Sequence, residues 1–203
     1  MTVSVELRVV ELLAARLCHE LVGPVAAIAN GAELLAEDDP GFVRDALALV
    51  DESARTASRR LQFYRFAYGF GGGGLAGPAP HQLAAEFFAE TAIGCEYGRA
   101  ARGLALDQQK LACAMLAVAG EALPRGGRLI VEAGAAGPEI EAIGEGAGPS
   151  PEMRAALSLA TAAAELTTRT VGACFAGLLA AAQGRRLIVA DRPGGFRLCA
   201  APG

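Results

Sequence analysis

Between Leu7 and Leu35, apolar and small residues return alternately every three and four positions: Leu7, Val10, Ala14, Leu17, Leu21, Pro24, Ile28, Gly31 and Leu35. This is a heptad stripe, with Leu7, Ala14, Leu21, Ile28 and Leu35 at a and the others at d, and it predicts a long helix. EDDPG (37–41) interrupts it, and Pro40 and Gly41 predict a turn. A second stripe follows at Val43, Leu47, Val50, Ala54, Ala57, Leu61, Tyr64 and Tyr68. Two such helices joined by a short turn form an antiparallel hairpin, and a lone hairpin leaves half of its seam wet. The economical closure is a second copy, giving a homodimer with a four-helix bundle.

Beyond Tyr68 the pattern changes. YGFGGGGLAGPAP (68–80) cannot continue a helix and reads as a linker. A helix is predicted at about 80–92, a weak strand near Leu104–Leu106, and a helix over Asp107–Leu123 ended by PRGG. RLIVEAG (128–134) and EIEAI (139–143) read as strands joined by a Gly/Pro turn, helices fall within 151–183, and RRLIVA (185–190) and GGFRLCA (194–200) form a last strand pair. The expected fold class is α+β: a helical hairpin over 1–70, a Gly/Pro linker over 71–80, and an α/β sandwich over 81–203 with helices on one face of a small mixed sheet.

The composition agrees with a folded chain: 53% of the 203 residues are hydrophobic, much of it alanine, which favours helix. A net charge of −4 without a basic block leaves no electrostatic footprint for nucleic acid. Five dispersed cysteines, odd in number and without CxxC spacing, predict buried thiols in a reducing cytosol and neither a zinc site nor disulfides. Glu6, Arg8, Glu11, Arg16 and Glu20 argue against a signal peptide, and the longest uncharged stretch, Phe66–Ala85, is broken by glycines and prolines. The expectation is a soluble cytoplasmic protein with no membrane partner.

Of the two histidines, His81 follows Pro80 at a helix start and is expected at the surface or in a cap. His19 falls at heptad position f, about 180° from the seam, and is therefore not a core histidine. Its neighbours one and two turns away include Leu12, Ala15, Arg16, Val22, Gly23 and Ala26. A merely solvated face would carry charge, so an apolar, small-residue patch around an exposed imidazole favours a docking surface over an idle surface histidine. No second histidine or cysteine pair supports a metal site, and no G-x-S-x-G supports a hydrolase triad. A phosphoryl acceptor needs only one accessible, neutral imidazole nitrogen. Glu20 could orient the ring, or be an ordinary surface carboxylate. The returning helix passes the level of His19 near residue 60, which brings Arg59 and Arg60 close as candidate phosphate neighbours or as plain partners of Glu.

LCHELVGPVAAIANGAELL (17–35) resembles the H-box of bacterial histidine kinases: a histidine, an acid beside it and a proline five residues on, Pro24. MLAVAGEALPRGGRLIVEA (115–133) is similar to the segment around a kinase N-box, with Val118 in place of the magnesium-binding asparagine. GEGAGPSPEM (144–153) is similar to the DxGxG nucleotide loop, with Gly144 in place of the adenine-reading aspartate, and VGACFAGLL replaces the glycine-rich lid. Without those groups ATP has little to hold it. A phosphoacceptor hairpin with a degenerate histidine-kinase ATPase-like domain resembles the ChpT-type histidine phosphotransferases of alphaproteobacteria over essentially the whole chain, most specifically in HELxxP, ANGAELL and RRLQFYRFAYG (59–69).

That resemblance implies a homodimeric phosphotransferase of a two-component phosphorelay. It would accept phosphoryl from the receiver-domain aspartate of a hybrid histidine kinase and pass it to response regulators. His19 would be the phosphoacceptor and Glu20 its orienting neighbour, with Leu12, Ala15, Arg16, Val22, Gly23 and Ala26 as the receiver-docking face. No cofactor would be bound by this chain, and Mg²⁺ would come from the partner receiver domain. Gly23 stands where receiver phosphatases often carry Thr or Asn. An ATP-dependent kinase, a non-enzymatic dimeric adaptor and a phosphatase for receiver domains are the alternatives.

Overall fold

The computed structural model describes residues 5–36, 40–69 and 77–203. Two long helices, α1 (Leu7–Ala36) and α2 (Pro40–Tyr68), form the hairpin. Pro40 and Gly41 belong to the first turn of α2 instead of preceding it, because a proline lacks only an N–H that a helix start leaves unbonded anyway. The helices meet closely at Gly31, where a Cβ would lie 2.6 Å from Val50 Cγ2 and 3.2 Å from the Ala46 carbonyl oxygen. Most of the heptad stripe is shared with solvent: Leu7, Val10, Val43, Leu47 and Leu61 are exposed. The linker expectation for 71–76 lies outside the described residues.

The second unit contains α3 (Pro80–Phe88), β1 (Ile93–Tyr97), α4 (Arg99–Arg102), α5 (Leu106–Glu121), β2 (Gly127–Gly134), β3 (Gly137–Ile143), α6 (Pro151–Leu157), a short 3-10 turn (Ala163–Glu165), α7 (Val171–Ala182), β4 (Arg185–Arg192) and β5 (Gly195–Pro202). The sheet order is β1-β2-β3-β5-β4, with β1 parallel to β2 and the other pairs antiparallel. The expected helix-covered mixed sheet is present. The strand expected near Leu104–Leu106 is not: Leu106 opens α5, and the extra strand is β1.

Strand alternation builds the core. Leu129 and Val131 on β2 pair with Ala142 and Ile140 on β3, which pair in turn with Phe196 and Leu198 on β5, all of them buried. The opposite face carries Glu96, Arg128, Glu132, Glu139 and Arg197, with ion pairs Arg128–Glu96 and Arg197–Glu139. α5 lies on this core, and every residue from Leu111 to Ala119 is buried. A helix apolar on all sides needs cover on all sides. The sheet, α7 and α2 provide it.

The two units are joined by an aromatic latch. Phe63 stacks on Phe87 of α3 at a centroid distance of 4.1 Å, and Tyr68 meets Phe175 of α7 edge-on at 5.1 Å. The single lysine, Lys110 of α5, donates to the Gly69 carbonyl at the end of α2. Of the cysteines, only Cys113 and Cys174 are buried. Cys18 is exposed and Cys95 and Cys199 are half-buried, so the expectation of five buried thiols is corrected.

α1 is long and apolar enough to cross a membrane by length and composition. Its neighbours are instead α2, α7 and the 3-10 turn.

Because both backbones approach at Gly31, Gly31→Val is expected to destabilise the protein by about 1–3 kcal/mol, the usual cost of overpacking. Thermal unfolding followed by circular dichroism checks this.

Candidate functional site

His19 stands on the exposed side of α1 as expected, with Ala15, Val22, Gly23 and Ala26 exposed beside it. Val22 is 60% exposed, and a Cβ on Gly23 would meet nothing within 4 Å. The structure thus brings together the imidazole and four of the six proposed docking residues. Leu12 is half-buried against the core of the second unit.

Arg16 belongs elsewhere, which corrects its assignment to the docking face. Its side chain is 9% exposed and forms an ion pair with Glu121 at the end of α5, while Nη1 donates to the Thr168 carbonyl at 3.0 Å. Burial is the largest single influence and works against its charge, but Glu121 together with the Tyr68 and Tyr64 phenols outweighs it, and the guanidinium is held above its ordinary pKa. Burial pushes the Glu121 carboxyl up, with Arg16 pulling in the opposite direction. Tyr68 lies beside this pair, its phenol pushed up to about 12 chiefly by burial. Arg8, two turns earlier, donates from Nε to the Ala163 carbonyl at 3.1 Å. Two arginines therefore fasten α1 to the segment 163–168.

Arg59 and Arg60 diverge, because consecutive helical residues point about 100° apart. Arg59 turns away from His19 and pairs with Glu90, which also accepts from Thr56 Oγ1 at 2.7 Å. The Thr56 hydrogen bond first, and Arg59 next, hold the Glu90 carboxyl below the usual carboxylate range. Arg59 is thus a strut to the end of α3 and not a phosphate neighbour. Arg60 does reach the level of His19: Nη1 donates to the Glu20 carbonyl at 2.8 Å and lies 3.1 Å from Glu20 Oε2. Glu20 is therefore turned towards α2. Among the described residues it makes no hydrogen bond to the imidazole, so its expected part in orienting the ring directly is corrected.

His81 is half-buried with its ring 6.2 Å from that of Tyr97, and Gln82 makes the cap of α3 by accepting from the Ala79 N–H at 2.8 Å. The positions that the resemblance aligns with nucleotide-binding groups are closed. Val118 is 2% exposed within the core, and a Cβ on Gly144 would lie 2.5 Å from the Gly126 carbonyl oxygen. A side chain at 144, aspartate included, has no room.

A family model for the histidine phosphotransferase C-terminal domain matches residues 80–193, more than half of the chain. The chain belongs to the histidine phosphotransferases. It is 42% identical over 125 residues to protein phosphotransferase ChpT of Brucella abortus (strain 2308), a match covering 59% of this chain and 58% of that protein. The match thus spans less than two thirds of the curated relative. A solved structure of a bacterial phosphotransferase, 30% identical, superposes with a TM-score of 0.77 and covers 99% of this chain and 98% of its own. The fold match therefore includes the hairpin that carries His19, which lies outside the family model's span.

Sequence reasoning missed Glu121 and Thr168 as partners of Arg16. Their separation from it in the chain leaves no periodic signal. Removing one partner of so buried a pair strands the other, so Glu121→Ala is expected to cost about 3 kcal/mol in urea unfolding. Gly23→Ala is expected to stabilise by about 0.5–1 kcal/mol in the same assay, since the site is helical and open.

Proposed function

We propose that the chain is a phosphohistidine carrier. His19 takes a phosphoryl group from the aspartyl phosphate of a hybrid kinase's receiver domain and yields it to the aspartate of a response regulator. The observation that carries this reading is the exposed imidazole centred on a face of Ala15, Val22, Gly23 and Ala26. Gly23 costs its helix stability and fills no space within the chain, which is what close approach of a partner backbone would require.

In the forward step the lone pair of one imidazole nitrogen forms a P–N bond while the acyl P–O bond breaks. The receiver carboxylate leaves with that electron pair, and the proton on the other imidazole nitrogen stays until the reverse step or is released to solvent. Most of the rate comes from in-line positioning of the two reactants. Mg²⁺ would be held by the receiver's acidic pocket, where it would supply charge neutralisation, and is not required from this chain. Energy from ATP is not used directly, a reading supported by the closed position at Gly144 and the packed Val118.

The working unit is a homodimer in the cytoplasm. In its support, Leu7, Val10, Val43, Leu47 and Leu61 are 71%, 54%, 37%, 53% and 55% exposed along the stripe that a second hairpin would cover.

Mixing the protein with a receiver domain carrying labelled aspartyl phosphate should place acid-labile, base-stable label on the wild type and none on His19→Ala. Free phosphate without a protein adduct would establish a phosphatase instead, and no change with several receivers would leave a docking adaptor. Labelled Mg-ATP alone should leave the wild type unlabelled.

A further inference from the structure

Pro24 leaves a defect in α1 whose repair is visible. A proline has no N–H, and its ring crowds the carbonyl four residues earlier, so the Glu20 carbonyl has no helical donor at residue 24. Arg60 of α2 supplies a replacement: Nη1 donates to that carbonyl at 2.8 Å and reaches Glu20 Oε2 at 3.1 Å. One guanidinium therefore grips both the backbone and the side chain of the residue after His19. With side chains 36% and 30% exposed, the ion pair alone would contribute little in water. The bond to the orphaned carbonyl is what sets Arg60 apart from an ordinary surface arginine.

The face around His19 straddles this break in the helical ladder. Ala15 lies before it, Val22 and Gly23 lie within the turn it affects, and Ala26 lies past it. With one ladder bond missing, fewer bonds hold the two halves of the helix at one angle. A change in that angle would move one half of the face relative to the imidazole.

We infer that Arg60 is a positioning residue for phosphoryl transfer: it closes the break in the helical ladder at Pro24 by bonding the carbonyl that the proline orphans, and so holds His19 in line with a docked receiver. The inference rests on the phosphohistidine reading above. Arg60 does not touch the phosphoryl group; it acts through the backbone of Glu20.

The test is a two-by-two cycle on the full chain: wild type, Arg60→Ala, Pro24→Ala and the double variant. Each is given a receiver domain phosphorylated by acetyl phosphate, and single-turnover transfer is timed. Affinity for the unphosphorylated receiver is measured separately. In the wild-type background, loss of Arg60 should slow transfer at saturating receiver about tenfold, the scale of a small misplacement of reacting groups, and by a larger factor than it weakens Kd. With Pro24→Ala, residue 24 regains an N–H for the Glu20 carbonyl, and removing Arg60 should slow transfer by a much smaller factor. Equal slowing in both backgrounds overturns the inference, as does an unchanged rate for Arg60→Ala. If Arg60→Ala does not fold, Arg60→Lys, whose longer side chain keeps a donor nearest the carbonyl, should transfer faster in single turnover than Arg60→Met. Equal rates for those two overturn it. A wild type that accepts no phosphoryl group sinks the functional reading itself, which is distinct from a wild type that works equally well without Arg60.

Discussion

Arg16 holds a charge of which water sees only a small part, and an uncompensated charge there would cost several kcal/mol. Glu121 and the Thr168 carbonyl supply the compensation, and both belong to the second unit. The rotation of α1 about its own axis is thereby fixed. With Arg16 facing the second unit, His19 three residues on is turned away by about 60°, onto the rim of the helix. The heptad positions are left to α2 and to solvent. One helix thus serves three surfaces, and the guanidinium decides which residues each surface receives.

Around that clamp the second unit supports the hairpin. Its sheet and α5 make a core dense enough to anchor the hairpin through Phe63, Phe87, Tyr68 and Phe175. Arg59 and Glu90 add a strut from the middle of α2 to the end of α3. The hairpin is consequently fastened to the second unit at several points, while His19 and its neighbours stay exposed. Within the segment RRLQFYRFAYG, Arg60 bonds Glu20, Phe63 stacks on α3 and Tyr68 meets α7.

Much of this was legible in the chain. The two stripes gave both long helices, and their arithmetic placed residue 60 beside His19. The alternating runs gave β2 to β5. β1 escaped because IGCEY is short, carries a glycine and a glutamate, and shows no clean alternation. Arg16 was misassigned because an arginine among apolar residues reads the same whether it points to water or to a carboxylate 105 positions away. Arg59 and Arg60 could not be separated without the helix phase that only packing supplies. The spacing of Pro24 and Glu20 already implied an orphaned carbonyl; the donor that answers it was not visible.

Gly144 limits what can be engineered into this loop. A Cβ there would lie 2.5 Å from the Gly126 carbonyl oxygen, and Gly126 has a positive φ and would itself drive a Cβ into the Ala92 carbonyl. An aspartate placed at 144 by a single codon change would meet a steric collision before its carboxylate could reach anything. Backbone at two turns would have to move first. The loop is therefore closed to single substitutions, and any redesign of it has to begin with the backbone.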